Sequence, residues 1–363
     1  MKFTIITPKL DISGVPLAQI RFANALNSRG NDVDLIVGWI DKNFEIKSYI
    51  NEKINLINLN VTKTRWMIFG LAKYILKNNS RTIFSAEDHL NSIVLFILII
   101  LFRKNKVCCS SRVTPFDTYS NKVFSKKWFL KHFIKFVMWR ANILSCVSKG
   151  MVNQYKSVFK NSRHICIHNI IYSPKSIEKS KIENLNISKS KSIKILAVGR
   201  LAKWKGFDVL INAVSLIVKQ NYQIELYILG DGPERKNLQM LIYQKKLQNI
   251  IKLVGYVVNP YNYYSNCDIF VLSSYVEGMP NVLVEAMMLG CTPVSTDCDT
   301  GPTEIINHEY NGYLCKVGDV ESMCEKIIMA INKKIDKDIL DETAYKFSEE
   351  LIINKYFNLL KLK

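Results

Sequence analysis

The chain has 363 residues, about two domains at roughly 150 residues each. It is 48% apolar and 22% charged, which excludes a disordered chain, a collagen-like one and a small disulfide-held scaffold. The net charge of +19 is uneven: residues 1–172 hold 26 basic and 9 acidic side chains against 24 and 22 in residues 173–363, so an anionic counterpart is expected for the first half alone.

In chain order, Phe3–Thr7 predicts a buried strand that Met1-Lys2 enters directly, with no leader expected before it. Leu17–Arg29 has apolar residues near helical spacing and ends at Gly30, where a left-handed conformation costs least. Val33–Val37 then reads as a second strand, and strand–helix–strand implies a right-handed crossover and a parallel sheet. Further strands are expected at Thr82–Ser85, Lys106–Ser110 and Ile143–Val147. The longest apolar run, Ile93 to Phe102, is well short of the ~20 residues needed to span a bilayer. No repeat of 20–50 residues appears, which argues against a solenoid or propeller.

Residues 173–192, rich in Ser, Lys and Asn, predict a linker. The alternation then restarts with strands at Ile193–Val198, Ile224–Leu229, Ile250–Val254, Ile269–Ser273 and Thr292–Ser295. Helices are expected at Gly206–Lys219, Glu234–Lys246 and Asn281–Leu289 between them. A final helix near Asp341–Lys363 is expected to cross back to the first domain. The predicted organisation is therefore α/β: a domain of residues 1–172 with about 348–363, the linker, and a domain of residues 193–347. Both would be doubly wound and Rossmann-like, facing across a cleft, with ligands outside the carboxyl ends of the strands. The nine cysteines show no paired spacing and several lie in apolar runs, as expected of packing residues in a reducing cytosol.

The most informative stretch runs from Ser274 to Ala286. A strand ends in a loop carrying Glu277 and Gly278, and a helix starts near Pro280-Asn281. The free N–H groups and dipole of such a helix start suit a phosphate. Glu285, one turn in, suits a ribose hydroxyl pair, and Glu277 a sugar hydroxyl. Arg200 and Lys205 follow the first strand of the second domain, with Gly199 and Gly206 beside them. Such a pair neutralises a diphosphate without a metal, Arg as a fork and Lys as a point charge. Asp297 and Asp299 form the D-x-D of a turn far from that pair in order, and no metal is expected there.

Together these stretches resemble the retaining GT-B glycosyltransferases of family GT4. Glu277 to Glu285 is similar to that family's E-x7-E signature, and Gly199-Arg200 with Lys205-Gly206 to its G-R…K-G element. Gly230-Asp231-Gly232-Pro233, Asn311-Gly312 and the Ser13-Gly14-Val15 opening resemble its glycine turns. Thr296 to Ile306 is similar to a T-D-C-x-x-G-P-x-E-I-I run of bacterial polysaccharide and lipid-linked-glycan transferases. The resemblance implies that Arg200 and Lys205 hold the diphosphate and stabilise it as it leaves, with Glu277 on the transferred sugar as the third catalytic residue. It also implies donor contacts from Gly14, Glu285, Gly278, Met279, Pro280, Asn281 and Val282, with no protein nucleophile and neither cofactor nor metal. Where many relatives carry a histidine in an S-x-H context, Ser110-Ser111-Arg112 stands here. Arg112 and His89 are the candidates for that acceptor or sugar contact.

In the basic half, Lys122, Lys126, Lys127, Lys131, Lys135 and Arg140 interleave with Phe124, Trp128, Phe129, Phe133, Phe136 and Trp139. This reads as an amphipathic helix with its aromatics mainly in the core and its lysines toward anionic lipid. No nucleic-acid motif accompanies the charge, and no nucleic-acid partner is expected. The expected activity is metal-independent, retaining transfer from a UDP-sugar to a lipid-linked or cell-surface glycan. It is placed on the inner face of a bacterial cytoplasmic membrane, with the enzyme cytoplasmic and peripheral. A soluble sucrose- or glycogen-type transferase, an epimerase, and a non-catalytic membrane scaffold are the alternatives.

Overall fold

Strands that pack helices on both faces need apolar side chains on both faces, and Phe3–Thr7 has no exposed residue. The structure, a computed structural model, describes residues 1–362 except 12, 43–48, 80, 161, 174–176, 179, 182–186 and 188–189. The expected linker therefore falls largely outside the described residues. The chain divides into two compact units, Met1–Ile170 with Glu349–Lys363, and Ile171–Ser348.

Unit 1 is built on β1 (Lys2–Leu10), β2 (Asp32–Ile40), β3 (Asn55–Asn58), β4 (Thr82–Ala86), β5 (Val107–Ser111), β6 (Ile143–Cys146) and β7 (His164–Cys166). They form one parallel sheet in the order β3-β2-β1-β4-β5-β6-β7. The direction of winding reverses between β1 and β4, paired from Phe3 with Thr82 to Ile6 with Ser85. Its longer helices are α1 (Gly14–Ser28), α2 (Met67–Lys77), α3 (Asp88–Ile100), α4 (Lys126–Val137) and α5 (Lys149–Val158).

Unit 2 repeats the plan with β8 (Ile193–Val198), β9 (Ile224–Leu229), β10 (Ile251–Gly255), β11 (Ile269–Leu272), β12 (Thr292–Thr296) and β13 (Tyr313–Cys315). Their parallel order is β10-β9-β8-β11-β12-β13, reversing between β8 and β11. Its longer helices are α6 (Phe207–Lys219), α7 (Arg235–Gln244), α8 (Asn281–Met288), α9 (Val320–Asn332) and α10 (Lys337–Tyr345). Phe207, Leu210, Ile211, Val214 and Ile217 of α6 are buried at helical spacing.

The expected final helix is two. After α10 the chain bends, and the Phe347 carbonyl accepts from the Ile171 and Tyr172 N–H groups at 3.0 and 3.2 Å. α11 (Glu349–Leu360) then enters the unit 1 core, where the Tyr356 ring lies 5.2 Å from Phe22 and 5.3 Å from Phe84. Such aromatic pairs contribute about 0.5–1.5 kcal/mol each beyond the area they bury.

The orientation of α4 corrects the sequence reading. Its inward residues are the aliphatic Ile134 and Val137, with Phe133 half-buried against Phe96 at 5.4 Å. Phe129 and Phe136 are 55% and 67% exposed, and the flanking Phe124 and Trp139 are 79% and 63% exposed. Aromatics expected mainly in the core therefore share the solvent face with Lys126, Lys127 and Lys135. Arg140 instead turns inward and donates to the Asn105 carbonyl at 2.9 Å. No described helix is long and apolar enough to cross a membrane. None of the nine cysteines is in a disulfide, and eight of them are buried.

Candidate active site

In a doubly wound sheet the loops after the two strands flanking the reversal diverge and leave a crevice. In unit 2 those loops follow β8 and β11, and they carry Arg200, Lys205 and Glu277. The first loop is anchored by the turn after β9. Leu201 donates to the Asp231 carbonyl and accepts from the Glu234 N–H, both at 3.0 Å. The approach is close enough to require glycine: a Cβ on Gly230, at φ +128°, would stand 1.9 Å from the Gly199 carbonyl oxygen. Arg200 is exposed on this loop, and its guanidinium pairs with no described residue.

The two loops are laced together. The Ser273 hydroxyl donates to the Lys205 carbonyl at 2.8 Å, and the Tyr275 N–H donates to that of Trp204 at 2.8 Å. Gly206 makes the approach possible, because a Cβ at its φ of +61° would lie 2.1 Å from the Ser273 carbonyl oxygen. Lys205 Nζ reaches Glu277 Oε1 at 2.5 Å, and the Ser274 hydroxyl donates to the same oxygen at 2.6 Å. Side chains 72 positions apart thus form a largely buried ion pair at the reversal point.

α8 starts directly behind this pair. Pro280 precedes it, no side chain caps its start, and its first turn holds no acidic residue, which leaves a helix end suited to an anion. Glu285, one turn in, is buried and accepts from the Tyr264 hydroxyl at 3.2 Å. Burial, and then the charge of Glu285, push the Tyr264 phenol well above its ordinary range and keep it a donor. Gly278 and Met279 lie between Glu277 and this helix start, with Pro280, Asn281 and Val282 forming it. The Thr300 hydroxyl donates to the Glu277 carbonyl. Thr296 and Cys298 turn inward onto the Ser274 carbonyl, and the alternate residues Asp297 and Asp299 point to solvent. That alternation gives the Thr296–Thr300 run a role in positioning the Glu277 loop.

The unit 1 candidates are placed differently. Gly14 is the exposed first residue of α1, and no atom of a described residue lies within 4 Å of where a Cβ would stand, so the described fold does not demand glycine there. His89 is exposed in the first turn of α3. Arg112, after β5, donates to Asn169 Oδ1, and burial holds its guanidinium below its usual range. It ties β5 to the segment after β7, a less open position than a free sugar contact would have. Sequence reasoning passed over Ser274, Thr300 and Tyr264, which hold the two glutamates. Only the Thr296–Thr300 motif hinted at one of them.

A profile of the family described as "Glycosyl transferases group 1" matches residues 178–347, taking in both loops and both glutamates. That segment belongs to the group 1 glycosyltransferases. Among relatives of the glycosyltransferase segment, an uncharacterised glycosyltransferase of Methanocaldococcus jannaschii is 32% identical over 210 residues, 55% of this chain and 50% of that protein. A Campylobacter jejuni protein is 30% identical over 220 residues, 61% of this chain and 59% of its own. It is named as an N-acetylgalactosamine-N,N'-diacetylbacillosaminyl-diphospho-undecaprenol 4-alpha-N-acetylgalactosaminyltransferase. The chain thus spans between half and three-fifths of the length of these two relatives. A solved structure of Anabaena HepE in complex with UDP and glucose superimposes with a TM-score of 0.76 over 99% of both chains. At 17% identity that likeness is one of fold: the two parallel α/β units are those of the GT-B fold.

Proposed function

We propose that this protein is a retaining, metal-independent glycosyltransferase of cell-surface polysaccharide synthesis, taking its sugar from a UDP-sugar. The observation that carries the reading is the Lys205–Glu277 pair at the β8/β11 reversal, with Arg200 open to solvent beside it and the uncapped start of α8 behind. Arg200, Lys205 and the α8 start hold the donor diphosphate, and Glu285 accepts from a ribose hydroxyl pair. Glu277 accepts from a hydroxyl of the sugar. In the transfer, the bond from C1 to the phosphate oxygen breaks while C1 bonds to the acceptor oxygen on the same face. The acceptor's proton passes to the leaving phosphate, and the two cations stabilise the charge that develops there. Binding of UDP by the structural neighbour and the undecaprenol-linked substrate in the name of the Campylobacter relative support the donor and acceptor classes.

The acceptor side adds a membrane. The solvent face of α4 pairs Phe129 and Phe136 with Lys126, Lys127 and Lys135, and Trp66 and Phe69 are exposed just before and within α2, which packs on α3 as α4 does. Aromatic and basic side chains mixed on one face suit the headgroup layer of an anionic bilayer. This mixed face supports a reading in which the enzyme works at the inner face of the cytoplasmic membrane on a lipid-linked glycan.

Thermal stability against UDP, GDP and ADP, with EDTA present, tests the donor site. A rise with UDP alone that Glu285→Ala abolishes is expected, and no rise with any nucleotide refutes the reading. Sedimentation with phosphatidylglycerol vesicles tests the membrane. Binding at low salt that weakens with salt and in Phe129→Ser/Phe136→Ser is expected, and absence of binding at low salt removes the membrane from the proposal.

A further inference from the structure

Unit 1 has its own reversal point, between β1 and β4, and the residue that leaves β4 there is Glu87. Its backbone stands at φ +77° and ψ +132°, a strained conformation that side chains other than glycine rarely adopt. The surrounding backbone enforces it. The Glu87 N–H donates to the Ser110 carbonyl at 3.0 Å, and its carbonyl accepts from the Leu90 and Asn91 N–H groups at 3.0 and 2.9 Å.

No contact among the described residues accounts for a glutamate at this position. It precedes α3 where Ser, Asp or Asn would cap the helix, yet its side chain makes no cap bond. Glycine would adopt the backbone without strain. The neighbouring Asp88 is fully committed: it is buried and accepts from the Ser111, Tyr119 and Tyr155 hydroxyls. The Glu87 carboxylate, half-buried, accepts no hydrogen bond from a described residue. Lys9 and Arg112 face it, but Lys9 is paired with Asp11 at 2.5 Å and Arg112 is turned onto Asn169. Burial raises its pKa, as for a carboxylate left short of partners.

We propose that Glu87 is an acceptor-sugar contact, a carboxylate held ready at the reversal point of the first sheet for the hydroxyl groups of the acceptor glycan. A carboxylate beside Asp11 and Asp88 disfavours a phosphate, and the cations Lys9 and Arg112 disfavour a metal ion, which leaves a hydroxyl-bearing ligand. The assignment rests on reading the chain as a sugar transferase and adds a residue that the motifs do not mark.

The test uses the full chain with Glu87→Gly, which removes both strain and carboxylate, and Glu87→Gln, which keeps the strain and removes the charge. Melting is followed with and without UDP, and transfer from UDP-sugars to lipid-linked and free oligosaccharide acceptors is read by product mass. Glu87→Gly should melt about 2–4 °C above wild type and Glu87→Gln close to it. Both should keep the UDP-induced shift and the donor KM while kcat/KM for the acceptor falls at least tenfold. Wild-type acceptor kinetics in either variant, or a lower melting point in Glu87→Gly, would overturn the assignment. An intact UDP shift in those same proteins would show that the transferase reading survives it. If wild type shows neither a UDP shift nor any product, the transferase reading has failed first and Glu87 falls with it.

Discussion

Replacing Lys205 with methionine keeps an unbranched side chain one atom shorter and removes its charge. Glu277 would then keep one hydroxyl partner, Ser274, in a site where its side chain is only 10% exposed. Leaving one member of such a pair short of its partner costs about 1–2 kcal/mol, which in a unit of about 180 residues lowers the melting point by roughly 3–8 °C. A diphosphate at the same place loses a charge-assisted bond, about 1.5–3 kcal/mol or a ten- to hundredfold weaker UDP affinity. The two effects separate in Lys205→Met/Glu277→Gln, where neither charge remains to be left alone. Its melting point should return to within about 2 °C of wild type while UDP affinity, measured by calorimetry, stays low. Recovery of affinity in the double variant would refute the reasoning, because Lys205 would then act only by restraining Glu277. Unchanged affinity in Lys205→Met would remove Lys205 from the phosphate site altogether.

Gly230→Ala places a methyl group 1.9 Å from a backbone oxygen at φ +128°, and neither side can yield cheaply. A loss of about 2–5 kcal/mol is expected, seen as a lower urea midpoint with weakened UDP binding as the Arg200 loop shifts. A midpoint equal to wild type would show that the turn is looser than described. His164 gives unit 1 a pH dependence: burial, opposed by the charge of Asp88, pushes its pKa from 6.5 down to about 4. Between those values the unfolded chain binds a proton that the folded chain does not, so stability falls as pH drops, by up to about 3 kcal/mol. The slope of melting temperature between pH 6.5 and 4.5 should be flatter in His164→Gln than in wild type, and equal slopes would reject the assignment.

Most parallel strands were legible because burial on both faces makes them rich in apolar residues, whereas the short edge strands β3, β7 and β13 were not foreseen. The second-unit site was legible because one short stretch holds Glu277, the α8 start and Glu285. Other features have no local signal. Helical periodicity shows which residues of α4 share a face, but not that the aliphatic Ile134/Val137 stripe wins the core over Phe129 and Phe136. The division of the last helix comes from the engaged Phe347 carbonyl, with no proline or glycine to announce it. Glu87 is marked by a backbone angle, and its letter differs in nothing from an ordinary charge at a helix start.

The return of α11 to the first core bears on synthesis. Phe22 and Phe84 are made early, but Tyr356 and Ile353, against which that core closes, leave the ribosome after all of unit 2. At about 5–20 residues per second, those ~180 intervening residues keep part of the first core open for roughly 10–40 seconds, while unit 2 emerges whole and can fold. The order of assembly therefore runs against the order of the chain: the later, contiguous unit can be complete before the earlier one, whose apolar surface waits for its final helix.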